Sequence, residues 1–136
     1  MEKKIQILTV KAILERDGKI LLIKDTKGAW ELPGGKIEFG EEPEHTLVRE
    51  LEEELNIKNC QVERLVNVWT FLVETDGFEK QYFVLVYSCK GGDFTNLIES
   101  EESMGYEWIA FGDVGGLDIK DGYKRVIKEY FEKIYG

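Results

Sequence analysis

An α+β fold is predicted, with a mixed β-sheet held between helices as an α/β/α sandwich. Three observations predict it. Aliphatic and β-branched runs joined by an Asp-Gly pair open the chain, a second such pair joins two more runs in the middle, and helical periodicity separates and follows them. At 136 residues the chain is long enough to bury a core, and a single domain over residues 1–136 is expected.

Ile5 to Leu14 is the first predicted strand. Arg16-Asp17-Gly18-Lys19 carries a hairpin signal, because Asp and Gly tolerate the positive φ angles of a two-residue turn. Lys19 to Lys24 returns as the second strand, and Asp25 to Ala29 is a loop. Pro33-Gly34-Gly35 reads as a turn by composition. A helix follows from about Glu42 to Asn56, with Pro43 suited to its first position and Glu42 a mediocre cap. Gln61 to Val73 and Lys80 to Ser88 form a second hairpin around Thr75-Asp76-Gly77-Phe78. Gly91 to Gly105 is a polar loop and Tyr106 to Ile109 a short strand. The last helix runs from about Gly122 to Ile134, where Tyr123, Val126, Ile127, Tyr130, Phe131 and Ile134 share one stripe and read as core.

Composition excludes several classes. The net charge of −9 repels nucleic-acid phosphates, so no duplex nucleic acid is expected as partner. Cys60 and Cys89 lie far apart in sequence with no CxxC spacing, which supports neither a zinc site nor a disulfide framework. His45 is the lone histidine and falls on the exposed side of the acidic helix, which excludes multi-histidine zinc sites. No run approaches a membrane span and no signal peptide is visible, so a cytoplasmic protein is expected, as monomer or homodimer.

The acidic helix carries the chemistry. Eight glutamates fall in the 17 residues from Glu38 to Glu54, although like charges at helical neighbour spacing repel. With Glu50 set at zero and 100° per residue, Glu54 lies near about 40° and Glu53 near about 300°, on one face. Leu47, Val48, Leu51 and Leu55 fall between about 60° and 160° as the buried stripe, and Glu52 near about 200° points away from both. Converging carboxylates suit a hard cation, Mg²⁺ or Mn²⁺, which would also bridge an anionic protein to an anionic diphosphate. A solvated acidic helix is the alternative. The Gly34-Gly35 pair allows close backbone approach to a ligand and could release a carbonyl as a further metal ligand. Arg49 can pair with Glu53 at i+4.

These residues resemble the Nudix box: Gly35, then Glu41, then Arg49-Glu50-Leu51-Glu52-Glu53-Glu54-Leu55-Asn56-Ile57. Every fixed position matches except the last, where Asn56 replaces a glycine; Asn is the next most tolerant residue of a left-handed helix cap. The flank Trp30-Glu31-Leu32-Pro33-Gly34-Gly35-Lys36-Ile37-Glu38 resembles the MutT-like branch. The resemblance implies a Nudix-type sandwich and a Mg²⁺- or Mn²⁺-dependent pyrophosphohydrolase acting on a nucleotide. By position, it implies Glu50, Glu53 and Glu54 as metal ligands, with Glu50 also activating water, the Gly34 carbonyl as a metal contact and Glu41 as an accessory carboxylate. It also implies a loop ligand, Glu102, with Glu101 and Glu99 as rivals. Glu50, Glu53, Arg49 and Glu41 are thus the catalytic candidates, and Trp30, Gly35, Lys36 and Tyr123 the substrate-binding ones.

The reaction so implied is cleavage of nucleoside triphosphates to the monophosphate and pyrophosphate. MutT-like enzymes that select oxidised guanine tend to place an Asn before the last helix. Asp118 to Tyr123 holds none, so only loose selection for that base is expected. The alternatives are hydrolysis of ADP-ribose or another nucleoside-diphosphate sugar, and a Nudix-like nucleotide-binding module without catalysis.

Overall fold

In the computed structural model, which describes residues 3–99 and 103–135, the N-terminal strands are β1 (Lys3–Arg16), β2 (Lys19–Asp25), β3 (Trp30–Glu31) and β4 (Gly34–Lys36). Helix α1 (Pro43–Leu55) follows, then β5 (Lys58–Thr75), β6 (Phe78–Asp93) and β7 (Ser103–Ala110). A 3-10 turn (Phe111–Gly116) leads into α2 (Asp121–Tyr135). The strands order as β3-β2-β1-β6-β5, with β4 added to β1 and β7 to β2. Strand β1 runs parallel to β6 but antiparallel to β2 and β4, so the sheet is mixed, as predicted. Both hairpins close on their Asp-Gly pairs: Asp17 and Gly18 have φ of 53° and 76°, Asp76 and Gly77 of 52° and 76°. Positive φ at both central residues matches the right-handed twist of the flanking strands.

Successive residues of the central strands face opposite cores. Ile13, Ile20 and Leu22 pack with Val126, Ile127 and Phe131 of α2. Ala12, Leu14 and Leu21 pack with Leu47, Leu51 and Leu55 of α1. Burial on both faces explains why β1 and β2 read as continuous aliphatic runs instead of alternating ones.

The structure corrects several expectations. The turn expected at Pro33-Gly34-Gly35 is confined to a bend at Pro33 between β3 and β4, which run in opposite senses, while Gly34–Lys36 is already a short strand in register with β1, Lys11 opposite Gly34. The predicted strands were too short, because β5 and β6 stay paired from the Asp76-Gly77 turn out to Lys58 and Asp93. Val48, placed in the buried stripe, is exposed at its edge, and Thr46 is the buried residue in its stead. Ile134 is likewise exposed, in the last turn of α2. Cys60 and Cys89 are free thiols, yet neighbours: pairing of β5 with β6 brings them together, and a hydrogen bond from Cys89 lowers the pKa of Cys60. Among the described residues no helix is long and apolar enough to cross a membrane.

Candidate active site

Two glycines bring strand β4 and helix α1 together. At Gly34 (φ +153°) an added Cβ would lie 1.9 Å from the carbonyl oxygen of Val10, so only glycine lets β4 approach β1 this closely. At Gly35 an added Cβ would lie 2.3 Å from Cδ of Glu50. The Glu50 carboxylate therefore rests directly on bare backbone, in space that any side chain would fill.

Helix α1 starts at Pro43 without a side-chain cap and ends at Asn56, whose left-handed conformation (φ 57°, ψ 36°) lets its own N–H bond back to the Glu52 carbonyl and the N–H of Ile57 to the Leu51 carbonyl. Its Nδ2 also donates to the Asn96 carbonyl at 2.9 Å, a contact beyond the cap itself. Along the helix, Arg49 organises the acids. Its Nε and Nη2 donate to the two oxygens of Glu41 at 2.8 and 2.9 Å, and its Nη1 reaches Glu50 at 3.1 Å and Glu53 at 3.0 Å. The expected Arg49–Glu53 pair is present, inside a larger network. Its bidentate bond from Arg49 lowers the Glu41 pKa to about 2.

Glu50 and Glu54 line a cavity of about 450 Å³. Glu53 does not: it borders a shallow groove on the outer side of α1 with His45, Val48, Arg49 and Glu52. The helical phase put three carboxylates on one face, and the structure brings two of them into the cavity while Arg49 and solvent hold the third. Among the described residues, three acidic, histidine or cysteine side chains do not meet at one point. The donor chemistry still fits a hard divalent cation. Glu50 rests on the backbone of Gly35, and Glu54 lines the same cavity with Gly34, so the donors available are oxygens, and such a cation completes its shell with water and substrate oxygens.

The same cavity has an aromatic wall from β5, β6 and α2. Phe71 and Tyr82 stack at 4.9 Å with their planes 6° apart, and Val84 and Tyr123 continue the surface. Lys11 also lines the cavity, opposite Gly34 on β4 and 8% exposed, its Nζ 3.3 Å from Oε1 of Glu31. Burial opposes the charge on Lys11, but Tyr123, Glu31 and Glu54 outweigh it and hold the ammonium above the ordinary lysine range. Burial likewise pushes Tyr123 up to about 12.

Of the substrate-binding candidates, Gly35, Lys36 and Tyr123 line this cavity and Trp30 does not. Trp30 packs against the α2 core with Lys24 over its ring, because β3 carries it beside Ile119 instead of toward α1. Glu99 is exposed, set against Gly105 and off the cavity lining, while Glu101 and Glu102 lie outside the described residues. Sequence reasoning passed over Lys11, Thr9, Glu31 and Phe71. Lys11 left one signal: a charged residue inside the stretch Thr9 to Leu14, which is buried throughout.

A family model described as the NUDIX domain matches residues 6–130, and the chain belongs to the Nudix family. Hydrolases of this family act on phosphoanhydride bonds of nucleotides and typically use a divalent metal. The chain is 46% identical over 128 residues to an ADP-ribose pyrophosphatase of Methanocaldococcus jannaschii, covering 90% of this chain and 72% of that one. It is 53% identical over 57 residues, 38% of its length, to a CTP pyrophosphohydrolase of Escherichia coli, and the match spans 42% of that relative. The crystal structure of a MutT NUDIX hydrolase from Burkholderia pseudomallei is similar at a TM-score of 0.76 and 27% identity, covering 92% of this chain and 98% of that one.

Proposed function

We propose that this hydrolase cleaves nucleoside triphosphates to the monophosphate and pyrophosphate with a bound Mg²⁺ or Mn²⁺. The observation that carries the reading is one cavity with an acidic wall at Glu50 and Glu54 and a stacked aromatic wall at Phe71 and Tyr82. The aromatic pair offers a flat surface to a base, and the acidic wall meets the phosphates. Glu50, Glu54 and the Gly34 carbonyl would hold the cation, with Glu53 joining once released from Arg49. When bound, the cation neutralises phosphoryl oxygens and makes water more acidic. The Glu50 carboxylate accepts the proton of the attacking water, and Arg49 orients Glu50 while tying α1 to the preceding loop through Glu41.

A second reading, hydrolysis of ADP-ribose, is favoured by the Methanocaldococcus relative. A panel of nucleoside triphosphates, 8-oxo-dGTP and ADP-ribose, incubated with Mg²⁺ and resolved by chromatography, tests both. Monophosphate and pyrophosphate from the triphosphates are expected, with less than about 10³-fold preference for the oxidised base. All turnover is expected to stop in excess EDTA while the melting transition persists. A kcat/KM for ADP-ribose above that of every triphosphate would put the second reading first. No product from any of them would leave a binding module.

A further inference from the structure

We propose that Lys11 is a specificity-determining residue that holds the phosphate remaining on the nucleoside after cleavage. The inference rests on the reading that this cavity takes a nucleotide. A buried ammonium has three N–H donors, and burying such a group is costly unless they are used. Lys11 is 8% exposed and donates one bond, to Glu31 at 3.3 Å; among the described residues its Nζ makes no other hydrogen bond. Two donors therefore remain at the cavity lining, where a ligand oxygen would accept them.

Register says which oxygen. Lys11 is opposite Gly34 on β4, beside the glycine pair that seats Glu50. Tyr82 and its stacking partner Phe71 sit at the level of Ile7, four residues back along β1. At about 3.3 Å per residue that is roughly 13 Å along the sheet, which leaves room for a base and a sugar before the first phosphate. A base on the aromatic pair thus delivers its own phosphate to Lys11 and the outer phosphates to the acidic wall. In a protein of net charge −9, this cation also offsets Glu31 and Glu54 where an anion must enter. Lys36, the other lysine at the cavity, is exposed at its rim.

The test is binding without metal, read by ligand-detected NMR titration of AMP and CMP against adenosine and cytidine. Lys11→Met should weaken both monophosphates by about tenfold or more, the scale of a lost charge-assisted hydrogen bond, and leave both nucleosides within about twofold. Lys11→Arg should recover part of the loss. Equal weakening of nucleosides and monophosphates would mean that Lys11 only shapes the pocket, and unchanged monophosphate affinity would mean that it touches no phosphate; either overturns the proposal. Should Lys11→Met fail to fold, Glu31→Gln removes the partner and leaves the ammonium, and its monophosphate affinity should be kept or increased; a fall would overturn the role. Failure of the underlying reading is separate: wild-type protein would then bind neither AMP nor CMP.

Discussion

Adding one methyl group at Gly35 should lower turnover without unfolding the chain if Glu50 acts as proposed. In Gly35→Ala the new Cβ would lie 2.3 Å from Cδ of Glu50 and 2.5 Å from Oε2. Bringing the closer approach out to the 3.4 Å of an ordinary contact takes a retreat of about 1.1 Å by the carboxylate. Displacement of a reacting group by about 1 Å costs roughly 10²-fold in rate. The clashing atoms are the end of a flexible side chain beside a cavity, so the retreat leaves the backbone in place and stability should fall by less than about 1 kcal/mol. Gly34→Ala is the contrast. Its Cβ would lie 1.9 Å from the Val10 carbonyl oxygen and 2.9 Å from the Lys11 Cα, both backbone, at a φ of +153°. Strands β1 and β4 would have to part, at a cost of about 3 kcal/mol. Steady-state kcat with Mg²⁺ and thermal melts of both variants check the pair. A kcat for Gly35→Ala within about threefold of wild type would remove Glu50 from the chemistry. Equal melting losses in the two variants would mean that Glu50 cannot move as argued.

Three further outcomes follow from the same geometry. Glu50→Gln and Glu54→Gln should each lower kcat by about 10² or more, whereas Glu52→Gln on the outer groove should stay within about twofold; Glu53→Gln matching Glu52→Gln would show that Arg49 keeps Glu53 out of the machinery. Because Arg49 lowers Glu41 to about 2 from 4.5, the stability this pair contributes is complete above pH 4.5 and is lost as pH falls toward about 2. Melts of wild type and Glu41→Gln should therefore converge through that window, and a gap that stayed constant down to its lower end would refute the assignment. Asn56→Gly should lose about 1 kcal/mol with the Asn96 hydrogen bond, and Asn56→Ala more, since it also forces a Cβ residue to φ 57°; thermal melts showing the reverse order would contradict the cap.

The parts that depend on local rules were legible from residue order alone. The Asp17-Gly18 and Asp76-Gly77 turns, the left-handed stop at Asn56 and the stripe of Leu47, Leu51 and Leu55 follow from positive φ and helical spacing, and all appear where predicted. Family membership was legible too, because the box from Gly35 to Ile57 is one contiguous run of residues. The cavity was decided elsewhere. Helical phase gave the azimuth of Glu50, Glu53 and Glu54 and the i+4 pair of Arg49 with Glu53, but not the bidentate bond of Arg49 to Glu41, which depends on where the loop carrying Glu41 returns. Lys11, Thr9 and Phe71 reached the site through pairings that join β1 to β4 and β6, and β6 to β5, between segments tens of residues apart. Trp30 left it for the same reason, since the edge pairing of β3 and not its aromatic character set the direction of its ring. Local periodicity states which face a residue lies on; which partner that face meets is set by strand register, and register is fixed only when distant segments pair.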